Sequence, residues 1–391
     1  MSERMALTGN DAAAYALKQI NPDVVAAYPI TPQTELMHKF AEYVADGEVD
    51  TEFIPVESEH SAMSAVVGAS VAGARCSTAT SSCGLALMWE ILYVAASCRC
   101  PVVMPVVNRA LSAPINIHCD HSDTMGARDA GWIQIYSENC QEAYDNIIQA
   151  VRIAEHPDVQ LPVMVTFDGF IVSHTLEGLE VNDDDAVKKF IGEYKPEHTL
   201  LDVDDPRTFG MFSLQNYYFE FKKQQVEAMQ RALKVIPEIA KEYEKLTGRA
   251  YGLLDPYRCD DAEVVIVGLG STMGTAKQAA DEVREEDGIA AGVLKMRCFR
   301  PYPFAEIRKA LSKAAVVGVM DRAISFGLGG PLFNEVRSAL YGGEKPLVNF
   351  IYGLGGRDLP LDDAREVFRA LAKVKDTGKT GPETRYIGLR E

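Results

Sequence analysis

The sequence predicts an α/β fold made of two successive units, each with a mainly parallel sheet. Three observations lead there. Apolar runs of strand length alternate with stretches of helical spacing through the first 170 residues or so. The alternation stops in a mixed, acidic segment, 181–216, and a long polar amphipathic stretch, 217–246. It resumes at Asp261 and continues almost to the end. Strands separated by helices at this spacing require crossovers that cover both faces of a sheet, which is why the strands are apolar throughout rather than alternating.

In chain order, 24–28 is a short buried strand ending in Tyr28-Pro-Ile-Thr-Pro32, where two prolines force an extended turn. Helical spacing follows over 34–44 and a strand over 51–56. Glu57-Ser58-Glu59 opens a helix running to about Gly73, with Ser58 as its cap and acids in its first turn. A strand at 76–80, a turn at 81–84, a helix at 85–96 and a strand at 101–107 come next. A polar loop spans 108–131, and a further strand and helix lead to the strand 161–167. The stretch 217–246, rich in Lys, Glu, Gln and Ala, is expected to be a connecting helix, bent at Pro237.

The second unit is predicted as strand 263–268, helix 275–285, strand 291–296, helix 304–311 and strand 315–321. A glycine-rich turn at 327–330, helix 331–340 and strand 347–352 complete it, and the charged tail from Lys373 is expected to be peripheral. The division falls at 1–250 and 251–391, within the two or three domains that 391 residues suggest.

With 39 Lys plus Arg against 56 Asp plus Glu, the net charge of −17 excludes nucleic-acid binding through bulk charge. The apolar runs are strand-sized, well short of the roughly 20 residues of a membrane span. The N-terminal segment lacks the basic-then-apolar layout of a signal peptide. A cytoplasmic location is expected. None of the eight cysteines forms a C-x-x-C pair, so neither a ferredoxin-type cluster run nor a disulfide framework is indicated.

Several residues are candidates for chemistry. Glu59 begins a helix whose following residues are small, which suits close helix packing or a fixed carboxylate beside a flat ligand. Arg109 follows the strand 101–107 and is placed either to hold a carboxylate bidentately or to form a surface ion pair. Thr31, between Ile30 and Pro32, is a turn residue or a ligand-facing hydroxyl. The run His118-Cys-Asp-His-Ser-Asp123 lacks the helical i, i+4 spacing of a zinc motif and suits a polar active-site loop better than a metal site. Gly268-Leu-Gly270-Ser-Thr-Met-Gly274 follows a strand, but its glycine spacing is not that of a dinucleotide fingerprint. The next strand ends in Lys295-Met-Arg297, with no acid for a ribose.

The segments Tyr28–Pro32, Val56-Glu-Ser-Glu-His60, Asn108-Arg-Ala-Leu111, Asp120-His-Ser-Asp123, Arg128-Asp-Ala-Gly-Trp132 and Phe167-Asp-Gly-Phe170 occur in one order. Together with Gly268–Thr272, Phe299-Arg-Pro-Tyr-Pro303, Asp321-Arg322 and Gly353-Leu-Gly-Gly-Arg-Asp358 they resemble the alpha subunits of the pyruvate-type 2-oxoacid:ferredoxin oxidoreductases. The resemblance covers nearly the whole chain. It implies a thiamine-diphosphate pyrimidine-binding-type domain followed by a transketolase C-terminal-like domain.

The resemblance also implies roles for particular residues. Glu59 falls on the catalytic glutamate, whose hydrogen bond to N1′ of the cofactor's aminopyrimidine favours the imino tautomer. Arg109 falls on the position that receives the substrate carboxylate, and Thr31 on one that hydrogen-bonds the substrate, a small 2-oxoacid. Pro29 and the turn Ser82–Gly84 would contact the cofactor, and Asp120–Asp123 would line the site. No metal site is implied on this chain, because the Gly-Asp-Gly…Asn diphosphate motif is absent. Thiamine diphosphate would be shared with a beta subunit carrying Mg²⁺ and a [4Fe–4S] cluster. Gamma and delta subunits would serve coenzyme A and carry further clusters that deliver electrons to ferredoxin. The alternatives are another 2-oxoacid (branched-chain, 2-oxoglutarate or oxalate), a non-catalytic scaffold subunit, and a nicotinamide dehydrogenase using 268–274.

Overall fold

The computed structural model describes residues 3–390. Its larger sheet has seven strands, in the order Glu52–Pro55, Val24–Ala27, Cys76–Ser77, Val103–Asn108, Val163–Asp168, Ile133–Tyr136 and Cys298–Arg300. All neighbours are parallel except the last pair. Val103–Asn108 and Val163–Asp168 are buried at every position, as expected of strands covered on both faces. Because the strands are parallel, the segments holding Pro29 and Thr31, Glu59, Ser82 and Gly84, Arg109, and Asp168 all leave the sheet at its carboxyl edge. That edge is where α/β sheets place their ligands.

The second sheet has six strands, in the order Leu254–Tyr257, Ala291–Met296, Val264–Gly268, Val316–Asp321, Leu347–Ile351 and Thr384–Tyr386. Only Leu254–Tyr257 runs antiparallel to its neighbour. The strand Cys298–Arg300 leaves this unit and pairs with Ile133–Tyr136, so chain from the second half closes one edge of the first sheet. A third, two-stranded antiparallel ribbon joins Glu3–Thr8 to Leu176–Val181.

Most predicted elements are present within a few residues. Ser58 caps the helix Glu59–Val71 by accepting from the Ser61 amide. The connector is a continuous helix, Tyr218–Thr247, that passes through Pro237 and buries Ala228, Ala232, Val235, Ile236, Ile239 and Tyr243 along one stripe. The expected helix at 85–96 is instead two, Ser82–Leu87 and Trp89–Ser97, meeting at Met88. The mixed segment contains a helix, Asp184–Ile191, with buried Val187 and Ile191.

The tail from Lys373 is largely exposed, with Val374 its one buried side chain among the described residues, and it is anchored at both ends of its course. The helix Leu361–Thr377 buries Ala364, Val367, Phe368, Leu371 and Val374, and Thr384–Tyr386 adds an edge strand to the sheet. Its apolar residues recur at helical spacing among charges, and that stripe sets the packing despite the polar composition.

Buried polar networks join the two units. Lys295 Nζ lies 2.5 Å from Glu142 Oε1 and 2.9 Å from Glu138 Oε2. Arg297 donates to Asn146 Oδ1, Gln149 Oε1 and Gly252 O. Asp145 accepts from Tyr243, Tyr251 and Arg249, which pins the end of the connector to the helix Cys140–Glu155.

Asp321 ends its strand buried, accepting from the Leu332 and Phe333 amides and from Asn349 Nδ2. Burial pushes its carboxyl up to about 7 against those hydrogen bonds. The native state therefore holds a proton that the unfolded chain, with a carboxyl near about 4, releases. This contribution is full below about pH 4 and is lost as pH rises toward 7. Asp321→Asn is expected to gain stability relative to the parent as pH rises from about 5 to about 8, measured by urea unfolding. An unchanged difference would remove this account.

Candidate active site

Glu59 is the first residue of its helix and only 6% exposed. Among the described residues its carboxylate has no hydrogen-bond or ion-pair partner. Gly84 faces it: a Cβ built at that position would lie 2.6 Å from Glu59 Oε1 and 2.5 Å from Thr80 Oγ1. The hydroxyls of Thr78, Thr80 and Ser81 in the preceding segment are buried and also lack partners. Buried polar groups are normally satisfied, so four unsatisfied ones in this region mark a place where a polar ligand completes the structure. The helix N-terminus favours the negative charge of Glu59 there.

Arg109 is 7% exposed and directly follows the strand Val103–Asn108. Its Nη1 donates to Thr31 O at 2.9 Å and its Nε to Asn116 O at 3.0 Å, while Nη2 has no partner among the described residues. Two carbonyls thus orient the guanidinium and leave one corner open for an anion. Thr31 is exposed, and its hydroxyl is free of intramolecular bonds among the described residues. Pro29 is exposed on the same rim, two residues beyond the strand Val24–Ala27.

Asp123 holds the parts together. Its Oδ2 accepts from the Ser82 and Arg109 amides, both at 3.0 Å, and its Oδ1 from Asn108 Nδ2 and the Thr124 amide. Burial pushes this carboxyl up to about 6 against those four bonds. Ser82 has φ of 47°, in the left-handed region, and its hydroxyl donates to Ala110 O at 2.6 Å. Its side chain is therefore used inside the fold, and the turn presents backbone and Gly84 to the site.

A second cluster lies where the two units meet. His121 Nε2 is 2.7 Å from Asp168 Oδ1. Arg322 Nη1 and Ser271 Oγ donate to Asp168 Oδ2 at 2.9 and 2.5 Å. Cys119, His121 and Asp168 are close enough together to hold a metal ion, but Arg322 already supplies the positive charge and both Asp168 oxygens are engaged. Gly270, with φ of +70°, sits so close to this carboxylate that a Cβ there would lie 2.9 Å from Asp168 Oδ1. The glycine turn after Val264–Gly268 thus serves contact between the two units. Neither the Asp123 hub nor this cluster was assigned from sequence. The sequence signals were the concentration of polar residues over 118–123 and the resemblance, which put Asp120–Asp123 along the site without giving Asp123 or Asp168 these roles.

Residues 15–241 match the family model described as the thiamine-diphosphate-binding domain of pyruvate flavodoxin/ferredoxin oxidoreductase. The chain belongs to this family. Residues 262–364 match a second model from the same enzymes, pyruvate:ferredoxin oxidoreductase core domain II. A pyruvate synthase subunit PorA of Thermotoga maritima is 57% identical over 100% of this chain and 99% of its own length. The subunit of the same description from Methanocaldococcus jannaschii is 48% identical, with the same coverage.

A solved 2-oxoglutarate:ferredoxin oxidoreductase from Magnetococcus marinus superimposes with a TM-score of 0.75 over 94% of this chain, at 19% identity. The chain spans 65% of that longer one. As a pyruvate flavodoxin/ferredoxin oxidoreductase family member, it is an oxidoreductase subunit with a thiamine-diphosphate-type domain. Among the described residues no helix is long and apolar enough to cross a membrane.

Proposed function

We propose that this chain is the alpha subunit of a cytoplasmic 2-oxoacid:ferredoxin oxidoreductase acting on pyruvate. The reaction is oxidative decarboxylation to acetyl-CoA and CO₂ with reduction of ferredoxin, or the reverse synthesis. The observation that carries this reading is the buried, partnerless Glu59 carboxylate facing Gly84, on the same sheet edge as the open corner of Arg109. These residues fit the aminopyrimidine half of thiamine diphosphate, and the unsatisfied hydroxyls of Thr78, Thr80 and Ser81 fit a polar ligand beside it.

When bound, the cofactor supplies the electron sink for decarboxylation. Glu59 would hold the proton at N1′ of the aminopyrimidine, and the lack of a side chain at Gly84 lets this turn approach the Glu59 carboxylate closely. Arg109 Nη2 would take the substrate carboxylate, with the Thr31 hydroxyl beside it, and Pro29 and the Ser82 turn would flank the cofactor with backbone. Asp123 would fix Arg109 and the Ser82 turn relative to each other. Residues 1–250 would supply this site, and 251–391 would support it through the Asp168 contacts. The diphosphate, Mg²⁺ and [4Fe–4S] clusters would sit on beta, gamma and delta subunits, with coenzyme A as co-substrate.

Pyruvate-dependent ferredoxin reduction by the assembled enzyme tests this reading. Arg109→Lys is expected to raise KM for pyruvate about tenfold or more, because one charge-assisted hydrogen-bond geometry is lost, about 1.5–3 kcal/mol. A panel including 2-oxoglutarate and 2-oxoisovalerate would overturn the substrate if either outpaced pyruvate. An unchanged KM in Arg109→Lys, with the assembly intact, would support the scaffold reading instead.

A further inference from the structure

A cleft of about 710 Å³ opens between the helix Trp89–Ser97, the first turns of Tyr218–Thr247 and the segment around Arg300–Pro301. It is separate from the rim that carries Thr31, Glu59 and Arg109. Tyr93, Tyr218 and Tyr302 bring aromatic faces to it, and Arg128, Lys222 and Arg300 bring cations. The volume and the mixture of apolar walls with a few polar groups are those of a small-molecule site, and a junction between two units is a common place for one.

Three features narrow the ligand. The first is charge. Three cations face two carboxylates, Asp129 and Glu335, so the cleft carries a positive surplus in a chain of net charge −17. The surplus is not neutralised internally. Arg300 is paired with Glu335 Oε1 at 2.5 Å and with Asp129 at 3.6 Å, whereas Arg128 donates to Met125 O and lies 4.0 Å from its only carboxylate partner among the described residues, Asp129. Lys222 donates to Ser97 Oγ and has no carboxylate partner among the described residues.

The second feature is stacking. Tyr218 is 56% exposed, and Lys222 Nζ lies over one face of its ring, 5.5 Å from the centroid, so a ligand would stack on the opposite face with a positive charge close by. The third is an unsatisfied group: Tyr302 is 7% exposed, lines the cleft, and its buried hydroxyl has no partner. A buried phenol without a partner is unusual and is satisfied when a ligand supplies one.

A flat ring that stacks, an anionic group for free cations and a polar edge for a phenol are combined in a nucleotide. We propose that this cleft binds a nucleoside diphosphate moiety, with the base against Tyr218 and the diphosphate toward Lys222 and Arg128. The site is additional to the chemistry at Glu59 and stands or falls independently of it.

Calorimetry with ADP tests this on the full chain and on the assembled enzyme. ADP is expected to bind both, with a dissociation constant on the order of 0.1 mM, and adenosine more weakly. Tyr218→Ala and Lys222→Ala are each expected to weaken ADP binding about tenfold. With coenzyme A saturating, both variants should reduce ferredoxin with pyruvate at the parental rate, since neither residue lies on the catalytic rim. Coenzyme A contains the same diphosphate. If it displaces ADP with the same dependence on Lys222, the bound moiety belongs to the carrier, and if it does not, free nucleotide is the ligand. Absence of ADP binding at millimolar concentration would overturn the proposal, as would unchanged affinity in both variants. Binding to the isolated chain that vanishes in the assembled enzyme would also overturn it, by showing that another subunit covers the cleft.

Discussion

Glu59→Gln is expected to lower the turnover of the assembled enzyme by about 10²–10⁴-fold, the range associated with losing one positioned proton-transfer group. The substitution keeps the volume of a side chain that is 6% exposed and begins a capped helix, so folding and subunit assembly should persist. What changes is the capacity to hold a proton at a ligand nitrogen. A glutamine amide can accept a hydrogen bond there but cannot stabilise the charge that develops.

The structure makes this test sharp because Glu59 has no partner within the described residues. No internal network collapses when the charge is removed, so a rate loss cannot be attributed to a broken ion pair. The measurement is pyruvate-dependent ferredoxin reduction alongside the elution volume of the complex. Near-parental turnover in an intact complex would remove Glu59 from the catalytic role. A lost complex with no chemical defect in the residual assembled fraction would favour a scaffold subunit.

The parallel architecture was legible because strands buried on both faces are written as continuous apolar runs. Val103–Asn108 and Val163–Asp168 show this, buried at every position. Once the sheet is parallel, the residues that follow its strands share one edge, which is consistent with a common site for Thr31, Glu59, Gly84 and Arg109 but does not select them from pattern. Their individual roles were not legible from pattern alone and came from the family resemblance. What the pattern missed has a common physical origin. The strand Cys298–Arg300 is three residues long and has no periodicity to detect, and its partner lies more than 150 residues away in sequence. Asp123 and Asp168 look like ordinary loop and strand-end acids until burial and long-range donors define them. The glycine spacing at 268–274 already argued against a nucleotide turn, but pattern alone gave no sign that Gly270 allows close approach to Asp168. Helix Asp184–Ile191 was hidden by an acidic composition with only two buried apolar residues.

Asp168 makes the strongest prediction about stability. Its side chain is 1% exposed and that of Arg322 is 2% exposed, with His121 at 2.7 Å. Replacing one partner of such a pair strands the other charge in a buried site, which costs about 3–5 kcal/mol. Asp168→Ala should therefore lose about that much in urea unfolding of the full chain. The double variant Asp168→Leu with Arg322→Met should recover part of it, because the buried guanidinium leaves with the carboxylate and only the His121 ring loses its partner.

The pH dependence has a definite sign. Burial would raise the Asp168 carboxyl, but His121, Arg322 and Ser271 together hold it well below the ordinary carboxylate range. Its contribution is fully present above about pH 4 and is lost as pH falls through the depressed native value. The stability gap between parent and Asp168→Ala should thus be constant from neutrality down to about pH 4 and narrow below it. A gap that closed between pH 7 and 5 would assign the effect to another group. The loss should also reach the active site. Gly169 packs so tightly that a Cβ on it would lie 2.4 Å from Asn108 O and 2.8 Å from Pro32 Cγ. A shift of this turn moves both the strand end that carries Arg109 and the loop that carries Thr31. Asp168→Ala enzyme that still assembles should accordingly show a raised KM for pyruvate, larger in proportion than any fall in kcat.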